Sequence, residues 1–119
     1  MYKNIFFKNH FVNKIENVLI LNNTDEYTSN FSKQWKRYNN VQIDSLNNFK
    51  LSKQYLEELL FDNLNFLKNK NILEIGSGAG RFTEYISKYA KNCVSLDLSS
   101  SIFYNVAKNN NNITLIKAN

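Results

Sequence analysis

Cysteine and histidine each occur once, proline is absent, and only three glycines are found in 119 residues. The lone Cys93 has no partner for an internal disulfide, and its place in an apolar run reads as a small buried side chain rather than a reactive thiol. His10 has no second ligand at a metal-binding spacing, so no metal site is expected. Long hydrophobic runs are missing as well. Ile5 to Phe7 and Val18 to Leu21 fall far short of a signal core or a membrane span, which makes the cytoplasm the default location. There are no internal repeats. The formal net charge is +5, yet no cluster of Lys and Arg marks a nucleic-acid patch. The basic residues are scattered among abundant Asn and Ile, the usage of AT-rich codons, and a mildly basic solvated surface is the plainer reading. With 43% hydrophobic and 21% charged residues, the chain reads as one small soluble globular unit rather than a disordered one.

The three glycines stand at alternate positions, Gly76, Gly78 and Gly80, directly after the short apolar run Ile72, Leu73 and Ile75, which suits a buried parallel strand interrupted only by Glu74. They allow a sharp turn out of the strand and close approach of a ligand to the main chain. A helix is expected from about Arg81, with Phe82, Tyr85, Ile86 and Tyr89 on its packed face. A second strand, Cys93 to Leu98, carries Asp97 about 20 residues beyond the first glycine. That arrangement holds adenosine-type ligands by their ribose hydroxyls. The dinucleotide fingerprint fails because Arg81 stands where its third glycine belongs. The phosphate loop of nucleotide triphosphatases fails because Gly80 is followed by Arg81 and Phe82 rather than by Lys and a hydroxyl residue.

What remains is an acid, an apolar residue and G-x-G-x-G: Glu74, Ile75, Gly76, Ser77, Gly78, Ala79, Gly80. This resembles the first motif of the class I S-adenosylmethionine-dependent methyltransferases, with Asp97 at the position of the family's ribose-binding acid. The resemblance implies an α/β fold, here the N-terminal part of a Rossmann-like methyltransferase sheet preceded by a mostly helical lead-in arm. It implies S-adenosylmethionine as cofactor. Gly76, Ser77, Gly78, Ala79 and Gly80 would then face its amino acid end and sulfonium, Asp97 its ribose, and Leu98 its adenine. Glu74 would orient the loop and help bind the ammonium; a carboxylate paired with a lysine at the strand end is the plainer alternative. Ala118 and Asn119 stand where the family has a small residue and an Asp facing the adenine amino group, and the amide oxygen of Asn119 could still accept from it.

The same resemblance sets expectations about extent and partners. The family sheet has seven strands, of which three are expected here, so the first strand should lack its neighbour on one side. Such an edge invites a second chain that completes the sheet, and a truncated methyltransferase with little activity of its own follows. The acceptor is expected to be a small molecule, with no clear nucleic-acid site and no membrane span. No catalytic base is nameable, because such groups usually come after the fourth strand. A non-catalytic remnant that binds adenosyl compounds weakly is the alternative.

Residues 1–50 read as the lead-in arm and residues 51–119 as the incomplete methyltransferase half. Lys14 to Leu21 reads as one extended segment. It vaguely resembles the end of a zinc-ribbon-like piece that precedes some relatives, without the cysteine pairs. Tyr27, Phe31, Gln34, Trp35 and Tyr38, then Gln42, Ile43, Asp44 and Ser45, resemble a lead-in found in a subset of these enzymes. Phe31, Trp35 and Tyr38 either pack the arm down or cover the donor pocket. A helix is expected from Leu51 or Ser52, with Ser52 as N-cap, to about Leu67, burying Tyr55, Leu56, Leu59, Leu60, Leu64 and Leu67. Ser99 or Ser100 should cap a second helix running through Ile102, Val106, Ala107 and Lys108, and Ile113 to Ile116 should form a third strand.

Overall fold

The structure, a computed structural model, describes residues 12–21 and 40–118. His10, the aromatic residues from Tyr27 to Tyr38, and Asn119 lie outside the described residues, so the question of packing or lid falls outside them too.

Five strands form one sheet: β1 (Val12–Ile15), β2 (Val18–Leu21), β3 (Asn71–Ile75), β4 (Asn92–Asp97) and β5 (Ile113–Lys117). Their order is β1-β2-β5-β4-β3. The three strands expected around the glycine motif are present and parallel, with Ile72 opposite Cys93 and Cys93 opposite Ile113. The segment read as one extended piece is a hairpin instead. Glu16 and Asn17, both at positive φ, make its two-residue turn, and β2 runs parallel beside β5. Turns of this kind need left-handed backbone at both central residues, normally a task for glycine. The only glycines are in the loop, so Asn17, Asn48 and Asn69 take left-handed positions elsewhere. Asparagine tolerates them best among residues with a Cβ.

Paired residues share a face of the sheet. One face therefore carries Ile72, Cys93 and Ile113 in one row, and Glu74, Ser95, Leu115 and Val18 in the next. Helices α1 (Asp44–Asn47), α2 (Leu51–Leu59) and α3 (Thr83–Tyr89) accompany two short 3-10 turns, Leu64–Leu67 and Ser100–Tyr104. The first row packs with Leu56, Leu64, Leu67, Tyr85 and Ile86, while Ile102 closes over Val18 and Leu115. On the opposite face of β3, Leu73 and Ile75 are 61% and 78% exposed.

Helix α2 is shorter than its leucine spacing suggests. It stops at Leu59, where Phe61 and Asp62 turn left-handed and the Asp62 N–H donates back to the Glu57 carbonyl at 2.7 Å. That six-to-one bond closes the helix as a glycine would. Leu64 and Leu67 still reach the core, but from the 3-10 turn, while Tyr55 and Leu59 stay exposed. Ser52 is not the cap. It lies inside the helix, and the carboxylate of Asp44 accepts from the N–H groups of Ser52 and Lys53 at 3.1 and 3.0 Å. The helix after the glycines begins at Thr83 rather than Arg81. The second expected helix is only the 3-10 turn, capped by Ser99, whose hydroxyl accepts from the Ser101 N–H. Asn105 ends it, because its side-chain oxygen accepts from the Ala107 N–H and competes with helical bonding.

Phe61 is 90% exposed at φ 57. Left-handed backbone costs a residue with a Cβ about 1–2 kcal/mol, partly offset in glycine by its freer unfolded chain. Phe61→Gly should therefore raise the stability by about 0.5–1 kcal/mol, seen as a higher midpoint in urea unfolding with an unchanged slope.

Candidate cofactor site

The glycine loop runs from the end of β3 to the start of α3 and is held from the side by β4. The N–H groups of Gly76 and Ser77 both donate to the Leu96 carbonyl, at 2.8 and 3.0 Å. The Gly78 N–H donates to Asp97 Oδ2 at 2.7 Å. The other oxygen, Oδ1, accepts from the backbone N–H and the hydroxyl of Ser99, each at 2.7 Å. The acid expected to bind ribose thus stands directly against the loop, half-buried at the strand end.

All three glycines have positive φ, yet each serves a different need. A Cβ at Gly76 would meet nothing within 4 Å, so this is the open side of the loop, where a ligand has room. At Gly78 it would approach Ser101 Oγ and Asp97 Oδ2 at ordinary contact distances. At Gly80 it would fall 2.5 Å from Asn105 Oδ1. The third glycine therefore admits a protein side chain, not a ligand.

Glu74 faces inward. Its Oε2 accepts from Thr83 Oγ1 at 2.6 Å and from Ser95 Oγ at 2.7 Å, joining β3 to the start of α3 and to β4. Burial raises its pKa, and these two bonds only partly counter that. No lysine among the described residues pairs with it, so the strand-end ion pair does not form, and Glu74 orients the helix that follows the loop. The chain of contacts continues, because Asn105 Nδ2 donates to Thr83 Oγ1 at 3.1 Å. Thr83 and Asn105, both fully buried, were not singled out from the sequence. The readable signal for Asn105 was a polar residue three positions after Ile102, on the packed side of the segment.

Asp44 accounts for the lead-in phrase from Gln42 to Ser45. Besides capping α2, it accepts from the Tyr85 hydroxyl at 2.8 Å. Burial disfavours its charge, but the N–H of Lys53, the phenol and the N–H of Ser52 outweigh that and hold its carboxyl below the ordinary value. Burial and the bond to Asp44 push the Tyr85 phenol up. Ser52 Oγ donates to the Gln42 carbonyl and accepts from Arg81 Nε at 3.2 Å, so the phrase is tied to the residue that follows Gly80. Cys93 is buried with its thiol pushed up to about 11, chiefly by burial, as a structural residue would be.

Among the described residues no group of three or more His, Cys, Asp or Glu could hold a metal, and no helix is long and apolar enough to cross a membrane. An adenosyl ligand does fit what is there. Gly76 leaves its side open, Asp97 supplies an acid beside the loop, and Ser77 Oγ is buried without a partner inside it. Leu98 is half-buried next to Asp97, and Ala79 is buried under the loop.

A parallel sheet with this loop and acid has the Rossmann-like arrangement of the class I, S-adenosylmethionine-dependent methyltransferases. A family model of ribosomal RNA adenine dimethylases matches residues 22–119, and the chain belongs to that family. Among solved structures, the DhpI-SAM-HEP complex is similar with a TM-score of 0.54 at 20% identity, over 76% of this chain and 40% of that one. The Haemonchus contortus phosphoethanolamine N-methyltransferase 1, in complex with phosphoethanolamine and S-adenosylhomocysteine, is similar with a TM-score of 0.50 at 24% identity, over 76% and 21%. These likenesses are of fold, and the chain spans less than half the length of either structure. A search of curated proteins gives no match. The family overturns the expectation of a small-molecule acceptor without a nucleic-acid site, since its substrate is ribosomal RNA. A glycine loop and an acid of this kind carry no information about an acceptor, and scattered lysines among abundant Asn and Ile give none either.

The raised pKa of Glu74 sets a sign. A carboxyl that binds its proton more tightly when folded adds stability below its unfolded value of about 4.3 and loses it as pH rises through the folded value. Glu74→Gln keeps an acceptor for Thr83 and removes the titration. The variant should gain on the parent protein as pH is raised above about 4, until the folded value of Glu74 is passed, measured as the difference in denaturation midpoints.

Proposed function

We propose that this chain provides the methyl-donor site of an S-adenosylmethionine-dependent methyltransferase acting on adenine in ribosomal RNA, with residues 51–119 carrying the donor site and residues 1–50 leading into it. The observation that carries the reading is the closure of the glycine loop on Asp97 in a chain whose family acts on that substrate. Bound S-adenosylmethionine brings a methyl group already activated by a positively charged sulfur. The protein is left with binding and alignment, which supply much of the acceleration in such transfers.

The residues divide that work. Gly76 and Gly78 let the main chain meet the amino acid end of the donor, with the Ser77 hydroxyl available there. Ala79 and Gly80 complete the turn. Asp97 accepts from the ribose hydroxyls and Leu98 flanks the adenine. Asp97 has the capacity for this. Each carboxylate oxygen carries two lone pairs, and Oδ2 uses one on Gly78. Oδ1 is filled by Ser99, but the Ser99 hydroxyl already lies against that of Ser101 and has an alternative partner when ribose arrives.

Calorimetric titration with S-adenosylhomocysteine tests the reading. Saturable binding is expected, and Asp97→Ala should weaken it by about 1.5–3 kcal/mol, roughly tenfold to more than a hundredfold, by removing a charge-assisted acceptor. A folded chain that binds the compound equally well with and without Asp97 would sink the assignment.

A further inference from the structure

Glu84, in the first turn of α3, is 8% exposed, and its Oε2 is buried without a hydrogen-bond partner. A buried carboxylate oxygen that lacks a donor is costly and marks a missing partner. Its natural partner along the helix, Lys88, does not serve, because Lys88 Nζ lies 4.9 Å over the centre of the Tyr85 ring instead. Glu84 lines two adjoining depressions of about 470 and 520 Å³ between α1 and α3, and neither is lined by the glycine loop or by Asp97. In the larger one, Phe49 and Tyr89 supply ring surface, and Lys50, Lys53 and Lys88 supply positive charge. Lys53 is paired with Glu57 at 3.4 Å.

Stacking surface, cations and a carboxylate in need of N–H donors describe a nucleotide site, and the volume is within the usual range for one. Oε2 has both lone pairs free to accept two donors, and that selects the base. Guanine alone places two N–H donors side by side on its pairing edge. Adenine and cytosine set an acceptor beside the donor, and uracil sets acceptors on both sides, so each would turn a lone pair toward Glu84. We infer that the depression bounded by Glu84, Phe49 and Lys50 is a second site, for a guanine ribonucleotide, beside the methyl-donor loop. The inference rests on the RNA reading above for its source, an unpaired guanosine in the same strand as the methylated adenine; a free guanine nucleotide has the same chemistry. Proximity follows from the helix itself, since the Glu84 N–H donates to the Gly80 carbonyl at 2.9 Å.

The test titrates the chain with guanosine monophosphate, adenosine monophosphate and a short single-stranded oligoribonucleotide containing one guanosine. Each is followed by amide NMR in excess S-adenosylhomocysteine, whose own affinity is measured separately. The guanine nucleotide should saturate, moving amides of 48–53 and 84–89, with the adenine nucleotide about tenfold weaker or worse. Glu84→Gln should erase that preference and leave S-adenosylhomocysteine affinity unchanged. Tighter binding of the oligonucleotide assigns the site to a strand, and equal binding assigns it to the free nucleotide. Absence of guanine binding, or a preference that survives Glu84→Gln, overturns the inference even if the adenosyl compound binds normally. Failure of the adenosyl compound alone counts against the donor reading and not against this site.

Discussion

The bond from the Gly78 N–H to Asp97 Oδ2 is the contact on which the rest of the site depends. It joins the turn after one strand to the end of its neighbour, and so it exists only when β3 and β4 are in register. That register is fixed by the row of Ile72, Cys93 and Ile113 packed under α3, because a slip by one residue would turn these side chains to the other face. Hydrophobic packing thus sets a polar distance at the edge of the sheet. Glu74 makes the same link from below, tying β3 to Thr83 and Ser95.

The parts of the fold that were legible were those with a short period and a chemical signature. The strand, glycine loop, helix and acid were placed within two residues because apolar spacing and glycine position act locally. What was missed depends on contacts distant in sequence. The end of α2 could not be read because leucines continue past it, and the left-handed pair Phe61 and Asp62 carries none of the usual stop residues. Asp44 looked like part of a family phrase, and only the folded chain brings it to Tyr85, 41 positions away, and to the start of α2. The hairpin was masked by the lack of glycine in its turn. The acceptor was misjudged for a different reason, since composition alone does not separate an AT-rich bias from a surface that meets RNA.

The shortage of glycine shapes the chain beyond the loop. With all three committed to one turn, the other left-handed positions among the described residues fall to Asn, Asp, Glu and Phe. Each such residue costs stability unless a neighbour compensates. Asn17 has one in Asn109, whose side-chain oxygen accepts from it at 3.2 Å. Arg81, which follows the last glycine, is held by its side chain, with the guanidinium 4.7 Å from the centre of the Phe82 ring and bonded to Ser52.

Asn105 occupies the space that a side chain at position 80 would need, and the two residues are separated by a helix and a strand. The loop is therefore not finished by its own sequence. Its last turn has no wall to rest on until β4 has paired and the segment from Ser100 to Ala107 has folded back across α3. In the order of assembly, the glycine loop is then among the last parts to take shape, and in a nascent chain it would stay open until the residues near position 107 had emerged.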